Sequence, residues 1–205
     1  MPIEICNDRV YSMNVTICSK LREGGQKLME RYEFLEILKD SYTAYYNIIP
    51  DEDVNDLPLA FRADYFSRAE QYWLSKKITV WANETNEFAY VFSADSFDKE
   101  TVDKCVKHAI DESLPRVKPH KEHQCSNVKV IFVADNISAE LEKHVKKLHF
   151  DKSYKFGLHG FTMLKAATVS MADERVCTNK AGYELAKYFS KLFASIHKKD
   201  ESESK

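Results

Sequence analysis

The run Val128-Lys129-Val130-Ile131-Phe132-Val133-Ala134 constrains the fold more than any other segment. A strand with one wet face alternates apolar and polar residues. A nearly continuous apolar run of this length is the mark of a strand covered on both faces. The chain must therefore supply other elements that pack over it.

The flanking segments supply helices. Residues 99–114 carry Val102, Cys105, Val106, Ala109 and Ile110 at the spacing of a single helical stripe. Asp98 stands at the N-cap position, with Phe97 and Val102 placed as a hydrophobic staple, and Pro115 stops the helix. Ser138 caps a shorter helix over 139–147, and Asn179 caps a last one over 180–197. A first helix is expected over 26–48, ending before Pro50.

Strands are expected at 59–66, 76–82, 87–93, 128–134, 149–156 and 161–171, with a short one near 175–178. Asn83–Asn86 reads as a four-residue hairpin loop, and Ser67 to Glu70 has capping-box spacing for a helical turn. The polar stretch 116–127 reads as a loop, and Gly157–Gly160 as a tight turn. No internal repeat is read along the chain. The order implies an α/β (α+β) domain: a single mixed β-sheet with helices packed on it. Residues 1–25 form an N-terminal appendage ending in Gly24-Gly25, 26–197 the domain, and 198–205 a disordered polar tail.

Composition narrows the function classes. Hydrophobic residues make up 44% and charged residues 30% of the 205, so a core can form without a metal or disulfide staple. A net charge of −2 lacks the global basic footprint of a dedicated nucleic-acid binder. No apolar run approaches the roughly 18–20 residues needed to span a bilayer. Five cysteines without CxxC spacing fit a reducing, cytoplasmic compartment.

Three stretches resemble an uncharacterised domain family of archaeal and bacterial proteins: PHKEH at 119–123, KSYKFGLHGF at 152–161 and TNKAG at 178–182, together with the segment KKITVWANETNEFAYVF. The resemblance covers residues 28–190. It implies one domain and no known activity, cofactor or catalytic residue.

Four constellations carry chemistry worth weighing. His120, His123 and Cys125 are competent zinc ligands, with Glu122 as a fourth, but residues crowded in one loop rarely close a tetrahedral site, and no metal is expected. Asp64, Glu70, Glu84 and Glu87 offer acids for a metal-dependent hydrolase acting on phosphodiesters, although Glu87 is followed by Phe88-Ala89 rather than the x-Lys such sites need. Cys105 reads as a core residue, whereas Cys177 lies before a helix N-terminus that can activate a thiol. No phosphate-cradling glycine loop or GxSxG motif is present, and no cofactor is expected. The fourth set is Lys152, Lys155, His159, Asn179 and Lys180, with His149 nearby. It reads either as a binding site for an anionic small molecule or protein partner, or as a solvated hairpin edge. A small binding or regulatory module is the reading these residues favour.

Overall fold

The computed structural model describes residues 29–49, 56–72 and 79–203. The N-terminal appendage expected over residues 1–25 lies outside them. Helix α1 (Arg31–Thr43) leads into β1 (Asn47–Ile49), then the long strands β2 (Leu59–Tyr72) and β3 (Thr79–Ala94). Helix α2 (Lys99–Ser113) connects to β4 (His123–Ala134), and α3 (Ala139–Lys147) follows. Strands β5 (Asp151–Ser153), β6 (Phe161–Ser170) and β7 (Arg175–Thr178) precede α4 (Tyr183–Glu203).

The seven strands form one mixed sheet in the order β1-β2-β3-β4-β6-β5, with β7 also paired to β6. Strands β3, β4 and β6 are parallel neighbours, and β1, β2, β5 and β7 are antiparallel additions at either side. This is the mixed sheet with packed helices that the element order implies.

Strand β4 lies at the centre, and both of its faces are buried. Val128, Val130 and Phe132 point into a core shared with α2 and α3. Ile131 and Val133 point into a second core beneath α1 and α4, built around Phe34, Leu38, Phe189 and Phe193. Each such side chain withdrawn from water contributes about 1.5–3 kcal/mol. The capping residues act as their types require. Asp98 Oδ1 accepts from the Thr101 amide at 2.6 Å, and Ser138 Oγ from the Leu141 amide at 3.2 Å.

Several boundaries differ from the sequence pattern, for physical reasons. Asn83–Asn86 is no hairpin loop but the middle of β3, paired to β2 on one side and β4 on the other. Two neighbouring ladders outweigh the weak turn preference of Asn, and Arg68 closes an ion pair onto Glu84 across the strands. Ser67 to Glu70 is strand for the same reason, since it pairs with residues 82–85. The first helix is shorter than 26–48 and releases Tyr45 to solvent. Strand β4 begins at His123, inside the expected loop. The expected strand 149–156 shortens to three residues, because Lys155, Phe156 and Gly157 all take positive φ. Helix α4 continues through Glu203, into the tail that polarity marks as disordered.

Candidate functional site

The sheet brings together two loops whose sequences repeat. Phe92-Ser93-Ala94-Asp95-Ser96-Phe97-Asp98-Lys99-Glu100 and Phe132-Val133-Ala134-Asp135-Asn136-Ile137-Ser138-Ala139-Glu140 share Phe, Ala, Asp and Glu at the same positions. In each, a strand ends, an aspartate turns out of the sheet, an apolar residue tucks back into the core and a capping residue starts a helix. Phe92 pairs with Phe132 and Ala94 with Ala134, so the two junctions lie side by side. This corrects the reading that the chain has no internal repeat. The match is only nine residues long and is diluted by substitution at five of them, so register makes it visible.

Asp95 and Asp135 therefore stand at the carboxyl ends of neighbouring parallel strands, where open α/β sheets place their ligands. Arg31, the first residue of α1, reaches both: Nη2 bonds Asp95, and Nε lies 3.4 Å from Asp135. Its Nη1 is buried without a hydrogen-bond partner. Beside this clamp opens a cleft of about 510 Å³, with Met29, Leu35 and Met171 as apolar wall and Glu30, Asp135 and Asn136 as polar wall. Asp135 is half-exposed, and the 3.4 Å Arg31 contact leaves most of its acceptor capacity unused.

A second cleft, about 300 Å³, lies between α1 and α4 near the other end of the same face. Here the sheet carries charges where the rest of the face is apolar. Lys129 Nζ lies 2.6 Å from Glu87 Oε2 and 3.0 Å from the Tyr46 hydroxyl, which itself donates to Glu87. Lys165 pairs with Glu184 at the start of α4. Ser41 Oγ donates to the Leu38 carbonyl and lies 2.5 Å from the Tyr188 hydroxyl. Burial pushes the Glu87 carboxyl up, but Lys129 and the Tyr46 hydroxyl more than offset this, and the net effect is downward. Burial, then the bond to Glu87, pushes the Tyr46 phenol above its usual range, so it remains a proton donor.

The residues singled out from the sequence fall elsewhere. Asn179 is buried, and its side chain is fully engaged. Oδ1 accepts from the Gly182 and Ala166 amides at 2.8 and 3.0 Å, and Nδ2 donates to the Leu148 and Leu164 carbonyls, both at 3.0 Å. Lys180 follows it and is exposed. Lys152 is exposed on β5, with Nζ over the Tyr154 ring. Lys155 is exposed in the turn, and the His159 carbonyl accepts from His123 Nδ1 at 2.7 Å. Asn179 bonds Ala166, whereas the Lys155–His159 turn lies beyond the Phe161 end of β6. At about 3.3 Å per residue that is roughly 20 Å of strand. The structure does not gather Lys155 and Lys180 into one cleft.

The other constellations are only partly gathered: His120 Nε2 lies 2.7 Å from Glu84 Oε2, and Arg68 pairs with both Glu84 and Glu122. His123 is buried, held by His159 and by Ser126 Oγ at 2.9 Å, while Cys125 faces Thr85 and Asn127 on the opposite side of the sheet. A register shift beside Glu84 separates them. Asp64 pairs with Arg116 on the α2 face, and Glu87 points to the α1 face. Among the described residues no group of His, Cys, Asp and Glu is arranged to hold a metal. Burial raises the Cys105 thiol to about 12 and raises Cys177 as well, so neither is an activated nucleophile.

A family model matches residues 30–191. The chain belongs to the family described as a domain of unknown function, DUF8052. The match begins one residue before Arg31 and takes in the second cleft and all of the first but Met29. No curated protein and no solved structure matches the chain. No helix of the DUF8052 domain is long and apolar enough, among the described residues, to cross a membrane. Sequence reasoning passed over Arg31, Asp95 and Asp135. The signal available was the FSAD/FVAD pair, each member ending an apolar run just before a capped helix.

Proposed function

We propose that this domain is a small-molecule binding module whose site is the cleft at the carboxyl ends of β3, β4 and β6, and that its ligand is a small amphipathic cation. The observation that carries the reading is Asp135, a half-exposed strand-end carboxylate with a weak partner, set against an apolar wall. Carboxylates only accept hydrogen bonds, so an ammonium or amidinium group matches them. Glu30 and Asp135 line the cleft, and Arg31, its one lining cation, is already paired with Asp95, so the lining carries unmatched negative charge. Met29, Leu35 and Met171 suit the ligand's hydrocarbon body. A cleft of this size is typical of small-molecule sites.

Thermal shift and calorimetry with a series of alkyl- and arylamines, and with the matching alcohols, test it. Amines should bind and alcohols should bind at least tenfold more weakly. Asp135→Asn should weaken amine binding at least tenfold, while Asp111→Asn, on an exposed helix face, should leave it unchanged. Equal binding of amines and alcohols, or no effect of Asp135→Asn, would overturn the reading.

A further inference from the structure

Lys129 and Lys165 are direct register partners on the parallel strands β4 and β6. Their backbones are therefore about 4.8 Å apart. Both side chains are nine-tenths buried. Like charges directly opposite one another destabilise a sheet, and buried ammonium groups cost more still. A domain that needed only a core would place apolar residues here, as it does with Ile131 and Ala167 in the next row of the same face.

The donors in this pair are not all used. An ammonium group has three N–H donors. Lys129 gives two of them, to Glu87 and to Tyr46, and it lines the cleft. Among the described residues the acceptor of Lys165 is Glu184. Glu184 itself is more than half exposed on the first turn of α4, so leaving Lys165 for water costs it little. Its carboxylate thus lines the cleft beside Lys165, in the place an incoming oxyanion would take. The walls are aromatic, from Tyr42, Tyr46 and Tyr188, with the hydroxyl of Ser41 among them and the Glu87 carboxylate, already neutralised by Lys129, on the floor.

We infer that this second cleft is an oxyanion site: a small organic acid or phosphate monoester displaces Glu184 from Lys165, places its anionic group between Lys129 and Lys165, and lays its body against the tyrosines. The cleft's volume of about 300 Å³ suits a monocyclic ligand. It lies apart from the Asp135 cleft, since Glu87 and Ser93 are six residues apart on β3, roughly 20 Å at about 3.3 Å per residue. The two sites take opposite charges.

Calorimetry on the full chain with inorganic phosphate, phenyl phosphate and benzoate tests the inference. Phenyl phosphate or benzoate should bind more tightly than inorganic phosphate, and the preferred one tells whether phosphate or carboxylate is the natural headgroup. Glu184→Gln removes the competing carboxylate and should tighten binding at least threefold. Lys165→Met keeps the chain length, frees an exposed glutamate and should weaken binding at least tenfold without unfolding the protein. Lys107→Ala, on the exposed outer face of α2 across the sheet, should change nothing. The inference fails if neither wild type nor Glu184→Gln binds any of the three probes. It fails equally if Lys165→Met leaves binding unchanged. Amine binding at Asp135 is untouched by these variants, so the two sites stand or fall separately.

Discussion

Lys129 and Glu87 form a buried ion pair across the central parallel strands, 2.6 Å between Nζ and Oε2. The pair is held in place by Tyr46, which bonds both members. Breaking a buried pair by removing one partner leaves the other charge unmatched, at a cost of about 3–5 kcal/mol, whereas replacing both is often neutral. Lys129→Met should therefore cost about that much by urea unfolding, and Lys129→Met/Glu87→Leu should recover most of it. Additive losses in the double variant would show that the two side chains act separately.

The same pair sets an acid limit. Glu87 ionises below its ordinary value in the folded protein, because Lys129 and Tyr46 outweigh burial. A carboxyl depressed on folding contributes stability above its unfolded value, near 4.3, and loses that contribution as pH falls through the lower folded value. The stability gap between wild type and Glu87→Gln should be constant from pH 7 to about 5 and shrink below about 4.3. A gap that stays constant down to pH 3 would mean that Glu87 is not held ionised.

Two glycines in one turn should differ sharply. Gly160 has φ +75°, and a Cβ there would lie 2.4 Å from the Gln124 carbonyl oxygen and 2.5 Å from that of His123. Gly157 has φ +87° but open space around the same position. Gly157→Ala should cost only the left-handed strain, about 1–2 kcal/mol. Gly160→Ala adds a collision with backbone and should exceed about 4 kcal/mol. Equal losses would show that the β4 end yields easily.

Much of the scaffold was legible because it rests on local chemistry. Asp98 and Ser138 are caps wherever the chain goes, and the 128–134 run has to be covered on both faces. Asn83–Asn86 was misleading because its conformation is decided by strands up to forty residues away, not by its own turn preference. The two clefts were hidden for a related reason. Lys129 and Lys165 each interrupt an apolar strand, a signal that is present in sequence, but only the register makes them neighbours. Arg31 and Asp135 meet only because α1 starts where β4 ends.

Asn179 illustrates how a residue with a functional look can be structural. Four hydrogen bonds from one buried amide tie the end of α3, strand β6 and the start of α4 together. The neighbouring Gly182 is needed for it, since a Cβ there would come within 2.8 Å of the Asn179 Oδ1. Asn179→Ala leaves two amides and two carbonyls without that partner, each costing about 1–3 kcal/mol where water cannot replace it. A loss above about 3 kcal/mol is expected from chemical unfolding. Asn179→Asp restores the acceptor but not the donor, and it sets a carboxylate against the Leu148 and Leu164 carbonyls, so it should rescue little. Lys180→Ala, on an exposed side chain one residue on, should stay within about 0.5 kcal/mol. Were Lys180→Ala the more damaging of the two, the positive charge at this helix start would have a role that the amide does not.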